Sequence, residues 1–318
     1  MRALYPAQAP RRAEWLKVGD GHAIYVEEGG APAGIPVVFL HGGPGGGCKP
    51  SHRQFFAPDR YRSFLLDQRG AGRSTPYGGT DANTTQTLLA DLECLRQWAG
   101  VERWVLFGGS WGGALALAYA ETYPERVLGM VLRGTFLARQ RDLDWFMADG
   151  AARLLPRAWD DFLNATQAIG HDIPALHAAL FGTDQALALQ AAHAWSRWST
   201  EVVMYAFDSA PHEPPPPDTE LLAKMRIELH YAHAQYFLRP NQLLADIGRV
   251  PQVPIHLIHG QRDITCAPEA AWAVHRALPW STLEILRSAG HLSGEALVQD
   301  ALLRAADAMA DALMPQFS

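Results

Sequence analysis

The chain has 318 residues, 48% of them hydrophobic and 19% charged, with a formal net charge of −6. That balance excludes a disordered chain and fits one enlarged domain or a domain with an inserted lobe. The absence of any basic block argues against nucleic acid as a partner, and no apolar stretch reaches the length that spans a bilayer, so no membrane partner is expected either. The chain opens as β structure: EWLKVGDGHAIYVEEGG sets two apolar runs on either side of Gly19-Asp20-Gly21, a hairpin signal. Short apolar runs then recur, each closing on a turn signal: PVVFLHGG at 36–43, RSFLLDQRG at 62–70, RWVLFGGS at 103–110 and GMVLRG at 129–134. Between the second and third, TLLADLECLRQWAG (87–100) puts Leu88, Leu92 and Leu95 on one helical face. After Ser110, GGALALAYAETYPERV predicts an alanine-rich helix stopped near Pro124. Apolar strands alternating with helices predict an α/β fold, a mostly parallel sheet covered on both faces.

From about 136 to 250 the pattern changes. DLDWFMADGAARLLPRAWDDFL, QALALQAAHAWSRW and DTELLAKMRIELHYAHAQYFL read as helices, with no buried-strand run among them. HEPPPPD (212–218) reads as a rigid surface connector. Strand patterns resume at PIHLIHGQRD (254–263) and STLEILRSAGH (281–291). The expected division is a catalytic α/β domain of residues 1–135 and 251–318, interrupted by a helical cap of residues 136–250. Cys48, Cys94 and Cys266 are too few and too widely spaced for a disulfide framework, and the first residues lack an apolar leader core. Both features lead to the expectation of a cytoplasmic protein.

Gly108-Gly109-Ser110-Trp111-Gly112 is a G-x-S-x-G run between an apolar strand and a helix, the setting of a nucleophile elbow. A flexible turn would also tolerate these glycines. A serine hydroxyl is a weak nucleophile and needs a base with an orienting acid. Asp263 stands just past an apolar run in LIHGQRDIT, and His291 closes LRSAGH after the last strand. A helix cap ahead of Pro268 would explain Asp263 alone, and thirteen histidines make His291 alone weak. The order Ser110, Asp263, His291, each at a strand end, favours a catalytic triad. The run His41 to Gly47 also follows a strand and offers backbone amides for an oxyanion hole, taken as Gly43 with Trp111, and Gly42 as the neighbouring option. Read alone, that run is equally a tight turn, and Lys49 is out of frame for a phosphate loop. Asp67, Arg69 and Arg73 in DQRGAGRS read as braces for these loops or partners of one another.

With these residues in view, the chain resembles the proline iminopeptidase family of serine peptidases with the α/β-hydrolase fold. The likeness runs from about residue 10 to 300 through HGGPGGG, DQRGAGRS, GGSWGG, YPERV, LRGTF, MRIELHY, HGQRDITCAP and SAGH. It implies release of an N-terminal proline or similar residue from short peptides with a free N-terminus, through an acyl-enzyme, with no metal or other cofactor. It again makes Ser110 the nucleophile, His291 the base and Asp263 its partner. Glu228 matches the family's cap glutamate, which would pair with the substrate ammonium. On its helix it shares a face with Leu221 and Met225; a salt bridge to Arg226 or another base is the alternative. By the same resemblance Phe136 and Phe146 line a pocket for the pyrrolidine ring, or else are core.

The family's second ammonium-binding glutamate follows a cap tryptophan directly. Here Ser199 follows Trp198, and Glu201 takes the role only if the helix end is remodelled. Met147-Ala148 stands where relatives carry Tyr-Gln, so the departures bear on proline preference and leave the triad intact. His230 and His233 lie i, i+3 on a helix, a spacing open to a metal but better suited to solvated or packing histidines. Cys266 lies close to Asp263 in sequence. An esterase or amidase with the same triad is the alternative activity, and a catalytically silent scaffold is the alternative outside enzymes.

Overall fold

The computed structural model describes residues 1–207 and 219–317. The connector expected at 212–218 lies outside the described residues. The strands are β1 (Arg12–Gly19), β2 (His22–Gly30), β3 (Ile35–Leu40), β4 (Tyr61–Asp67), β5 (Trp104–Ser110), β6 (Val127–Thr135), β7 (Ile255–Gly260) and β8 (Thr282–Leu286). The helices in chain order are α1 (Thr85–Ala99), α2 (Trp111–Thr122), α3 (Gln140–Asp144), α4 (Ala151–Leu154), α5 (Pro156–Ala165), α6 (Ile173–Phe181), α7 (Gln185–Val203), α8 (Thr219–His233), α9 (Gln242–Ala245), α10 (Pro268–Ala277) and α11 (Ala296–Leu313). One π turn, Trp145–Asp149, separates α3 from α4.

The eight strands form one sheet in the order β1-β2-β4-β3-β5-β6-β7-β8. β1 and β2 pair antiparallel with their neighbours, and every pairing from β4 to β8 is parallel. The chain runs from β3 outward to β4, then returns to place β5 on the other side of β3. Connections therefore diverge between β3 and β5, the switch point where open parallel sheets leave a crevice at their strand ends.

Period-2 alternation gives the sheet two buried faces. Val38 and Leu40 of β3 join a layer with α1, α2 and α10, while Val37 and Phe39 join one dominated by α11. α11 buries Val298, Ala301, Leu302, Ala305, Ala306, Met309, Ala310 and Leu313, spaced by threes and fours. Neither α11 nor α6 is among the elements predicted from sequence. Both are rich in alanine and leucine, whose pattern is weak until a partner surface is known.

Between β6 and β7 the described residues are helices, turns and loops. They own a separate core of Met147, Phe162, Leu176, Leu180, Trp195 and Trp198, to which α8 adds Leu221, Met225 and Leu229. α8 also sends Ile227, Tyr231 and Ala232 into the core below, so it belongs to both layers. Among the described residues no helix is long and apolar enough to cross a membrane.

Candidate active site

Ser110 ends β5 and precedes α2 with φ 55° and ψ −127°, a conformation a serine adopts only at a cost of roughly 1–3 kcal/mol. The surrounding glycines explain how it is held. A Cβ on Gly112 would run into the Leu40 carbonyl of β3, and one on Gly108 into the Gly112 carbonyl. A Cβ on Gly109 would lie 2.5 Å from Arg133 Nη2. These glycines let neighbouring backbone and a guanidinium approach, which is how the turn closes, rather than simply clearing space around Oγ.

Asp263 is buried past the end of β7, and each of its oxygens is engaged. Oδ1 accepts from the N–H groups of Thr265 and Cys266, both at 2.9 Å, and Oδ2 accepts from His291 Nδ1 at 2.7 Å. Burial alone would raise this carboxyl; the charge and hydrogen bond of His291, then His259 and the Cys266 amide, outweigh it and hold Asp263 below the usual range. An ionised acceptor fixes the proton of His291 on Nδ1 and leaves the lone pair of Nε2 free to accept one. His259 of β7 is fully buried. It accepts the Thr135 N–H at 3.2 Å on Nδ1 and donates from Nε2 to the Cys266 carbonyl at 2.8 Å. Burial, the largest influence on its ring, lowers its basicity.

The loop that carries His291 is tied down from two sides. Arg133 Nη1 donates to the His291 carbonyl at 2.5 Å, and Glu295 accepts the N–H groups of Gly290 (2.8 Å) and Leu292 (3.0 Å). Gly134, with φ 53°, lets the β6 end pass beside the pair: a Cβ there would lie 3.2 Å from the His291 ring.

The glycine run after β3 folds back on itself, Gly46 N–H donating to the Gly42 carbonyl at 3.2 Å, with Gly43 at φ 120°. Gln68 connects this loop to the elbow. Its N–H donates to His41 Nε2 and its side-chain amide to the His41 carbonyl, both at 2.9 Å, while its Oε1 accepts from Trp111 Nε1 at 2.9 Å. Asp67 sits below, accepting from Arg73 and from the Cys48 N–H, and Arg69 makes a two-pronged pair with Asp91 at 2.7 and 2.9 Å. The charged strand-end loop thus braces the glycine run and α1.

A cavity of roughly 400 Å³ opens over Ser110 and His291, within the range of small-molecule sites of about 300–1,000 Å³. Gly42 and Gly43 border it on the sheet side; Phe136, Phe146, Trp195, Met225 and Tyr236 make it largely apolar. Phe136 meets Tyr236 edge-on at 4.9 Å, and Phe146 packs against Trp195 at 5.7 Å. Glu228 also lines it, with Oε2 accepting from Trp195 Nε1 at 2.9 Å and Oε1 lying 3.8 Å from Lys224 Nζ. Arg226, the base considered for it, instead donates to the Leu180 carbonyl. Glu201 is not brought to the cavity. The α7 residues that line it are Trp195, Ser196, Ser199, Thr200 and Val203, and at 3.6 residues per turn Glu201 points about 170° away from their mean direction. α7 continues unbroken to Val203, so the remodelled helix end that would redirect Glu201 is not found. His230 bonds the Asn83 carbonyl and His233 stacks on His177 at 4.1 Å, which accounts for both by packing.

Gln68, Arg133, His259 and Glu295 have no place in the sequence-based site. Gln68, Arg133 and His259 act by bonding groups far along the chain, so no local pattern marks them, whereas Glu295 accepts amides only three and five residues back, a short-range contact that the sequence reading passed over.

A strained serine at the switch point, beside a buried Asp–His pair from the following strands, defines an α/β-hydrolase, and the model of the alpha/beta hydrolase fold family matches residues 35–295. The crystal structure of a proline iminopeptidase from Mycobacterium smegmatis shares this fold with a TM-score of 0.64 at 19% identity, covering 95% of this chain and 99% of that one. The chain is 45% identical over 313 residues to a proline iminopeptidase of Xylella fastidiosa, covering 96% of this chain and 99% of the relative. It is 40% identical over 298 residues to one from Arabidopsis thaliana, covering 92% and 78%. The chain belongs to the proline iminopeptidase family.

Proposed function

We propose that this protein is a serine exopeptidase that releases an N-terminal proline, or a similar residue, from short peptides. The observation that carries the reading is the Asp263–His291 pair beside the strained Ser110 under a cavity whose apolar wall holds the carboxylate of Glu228. Ser110 Oγ attacks the carbonyl of the first residue and passes its proton to His291 Nε2. The oxyanion is received by the backbone N–H groups of Trp111 and Gly43. Collapse breaks the C–N bond as His291 returns the proton to the leaving amine, which departs as the shortened peptide. Water, deprotonated by His291, then attacks the acyl-serine ester and frees the amino acid with Ser110 restored.

The helical segment of residues 136–250 acts in this reading as a cap. Phe136 and Phe146 hold the ring, and Glu228 pairs with the free ammonium. Three unpaired cysteines fit a reducing compartment, and a cytoplasmic setting is part of the proposal.

The test compares hydrolysis of a prolyl arylamide, its N-acetylated counterpart and a short acyl ester. Faster cleavage of the free prolyl arylamide than of the acetylated one, abolished in Ser110→Ala, is expected. Cleavage of the ester alone overturns the peptidase reading, and equal cleavage of free and blocked prolyl substrates overturns the role of Glu228.

A further inference from the structure

One side chain of the cavity wall takes no part in the reaction above. Lys224 precedes Glu228 by one turn of α8, with Nζ 3.8 Å from Glu228 Oε1. Its side chain is 46% exposed, whereas that of Glu228 is 16% exposed. The other Glu228 oxygen is held by the Trp195 indole. The backbone carbonyl of Lys224 backs onto the glycine loop, 3.5 Å from where a Gly45 Cβ would stand, so the helix turn bearing both residues is fixed beside the oxyanion loop.

The carboxylates of the cavity are therefore already answered. Asp142, the other acidic residue on its lining, is engaged by the Arg139 guanidinium through three contacts between 2.7 and 3.2 Å, and Glu201 faces elsewhere. An arriving ammonium gains only the difference between its own pairing with Glu228 and the pairing Lys224 gives up. An uncharged ring of the same size meets an apolar wall and a carboxylate that keeps its cation, so it is not strongly rejected.

We infer that Lys224 is a specificity residue that weakens the preference of this site for a charged N-terminus, so that the pocket takes uncharged, ring-sized acyl groups, as amides or esters, beside free prolyl peptides. The inference rests on the function proposed above and uses the same acyl transfer to Ser110 and then to water. Lys224→Met strips the cation and keeps the stem that covers the wall, and methionine is a good helix former, so α8 is preserved.

The experiment measures kcat/KM for prolyl arylamide and for cyclopentanecarbonyl arylamide, in which a methylene replaces the ring nitrogen. Wild type should cleave both. In Lys224→Met the prolyl-to-cyclopentanecarbonyl ratio should rise about two- to fivefold through a lower KM for the prolyl substrate, the size expected for a partly exposed ion pair. Lys224→Arg should return the wild-type ratio, and Glu228→Gln should bring it close to one. An unchanged ratio in Lys224→Met, or no cleavage of the cyclopentanecarbonyl substrate by wild type, overturns the inference while leaving the peptidase reading intact. So does a KM raised for the dipeptide Pro-Gly but not for the arylamide, which would make Lys224 a reader of the leaving group's carboxylate. Failure of wild type to cleave the prolyl arylamide overturns the underlying reading instead.

Discussion

The sheet side of the cavity and the helical side are built by opposite means. At the strand ends, Asp263, His291, Gln68 and the elbow are locked by hydrogen bonds from four different segments, and glycines let the backbones touch. On the helical side the polar groups of α7 and α8 are lightly held: Glu228 has one indole donor and a half-exposed lysine, and Ser196, Ser199 and Thr200 border an apolar wall. Rigid strand ends suit a reaction that must be positioned to within fractions of an ångström, while a helical wall can change its side chains without disturbing that geometry. On the proposed mechanism, damage to the first side should fall on kcat and damage to the second on KM.

The largest effect is expected for Asp263→Asn. An amide at this position no longer fixes the His291 proton on Nδ1, and kcat/KM should drop about 10⁴-fold in steady-state assays while the thermal transition stays cooperative. Retention of a tenth of the activity would break the comparison at its strongest point. Glu228→Gln comes next, with KM for the prolyl arylamide raised roughly 10- to 100-fold and kcat within about threefold. A fall confined to kcat would place Glu228 with the reacting groups instead. Glu295→Gln should be milder: one of the two amides it accepts then faces an NH₂ group, the His291 loop loosens, and kcat falls about three- to tenfold at constant KM.

The sequence makes the sheet side more legible than the helical side, for physical reasons. Buried parallel strands leave short apolar runs ending in turn residues, so Ser110, Asp263 and His291 stand at recognisable places, and their order is meaningful because the topology fixes it. Gly108 and Gly112 are also legible as a tight turn, but their contacts with Leu40 and with each other depend on β3 lying beside β5, which no local pattern states. Glu201 shows the converse limit. Counting from Trp198 puts a carboxylate near the expected place, yet helical phase carries it off the cavity face, and only the position of α7 against α8 decides which face that is. Lys224 is plain in the sequence, but its pairing with Glu228 matters only because α8 lies over the glycine loop.

Two buried carboxyls give the finest test of what hydrogen bonding contributes on the sheet side. Asp263 is fully engaged and held below its ordinary range, whereas Glu121 of α2 is 5% exposed with no partner for either oxygen among the described residues. Burial, with Asp246 adding to it and Arg249 and Arg239 opposing, pushes the Glu121 carboxyl up to about 8. The two therefore act on stability with opposite sign. A depressed carboxyl stabilises the fold above its unfolded pKa and loses that contribution as pH falls through the folded value. A raised one keeps its proton where the unfolded chain releases it, so the fold weakens as pH climbs from about 4.5 towards about 8. Glu121→Gln removes the titration while keeping the shape and the polar character of the protonated acid. Its melting temperature should match wild type near pH 4.5 and exceed it by about 2–6 °C at pH 8, with activity unchanged because Glu121 touches neither side of the cavity. A difference that does not grow with pH would mean that Glu121 is ionised and paired in the fold, and burial alone would then not separate it from Asp263.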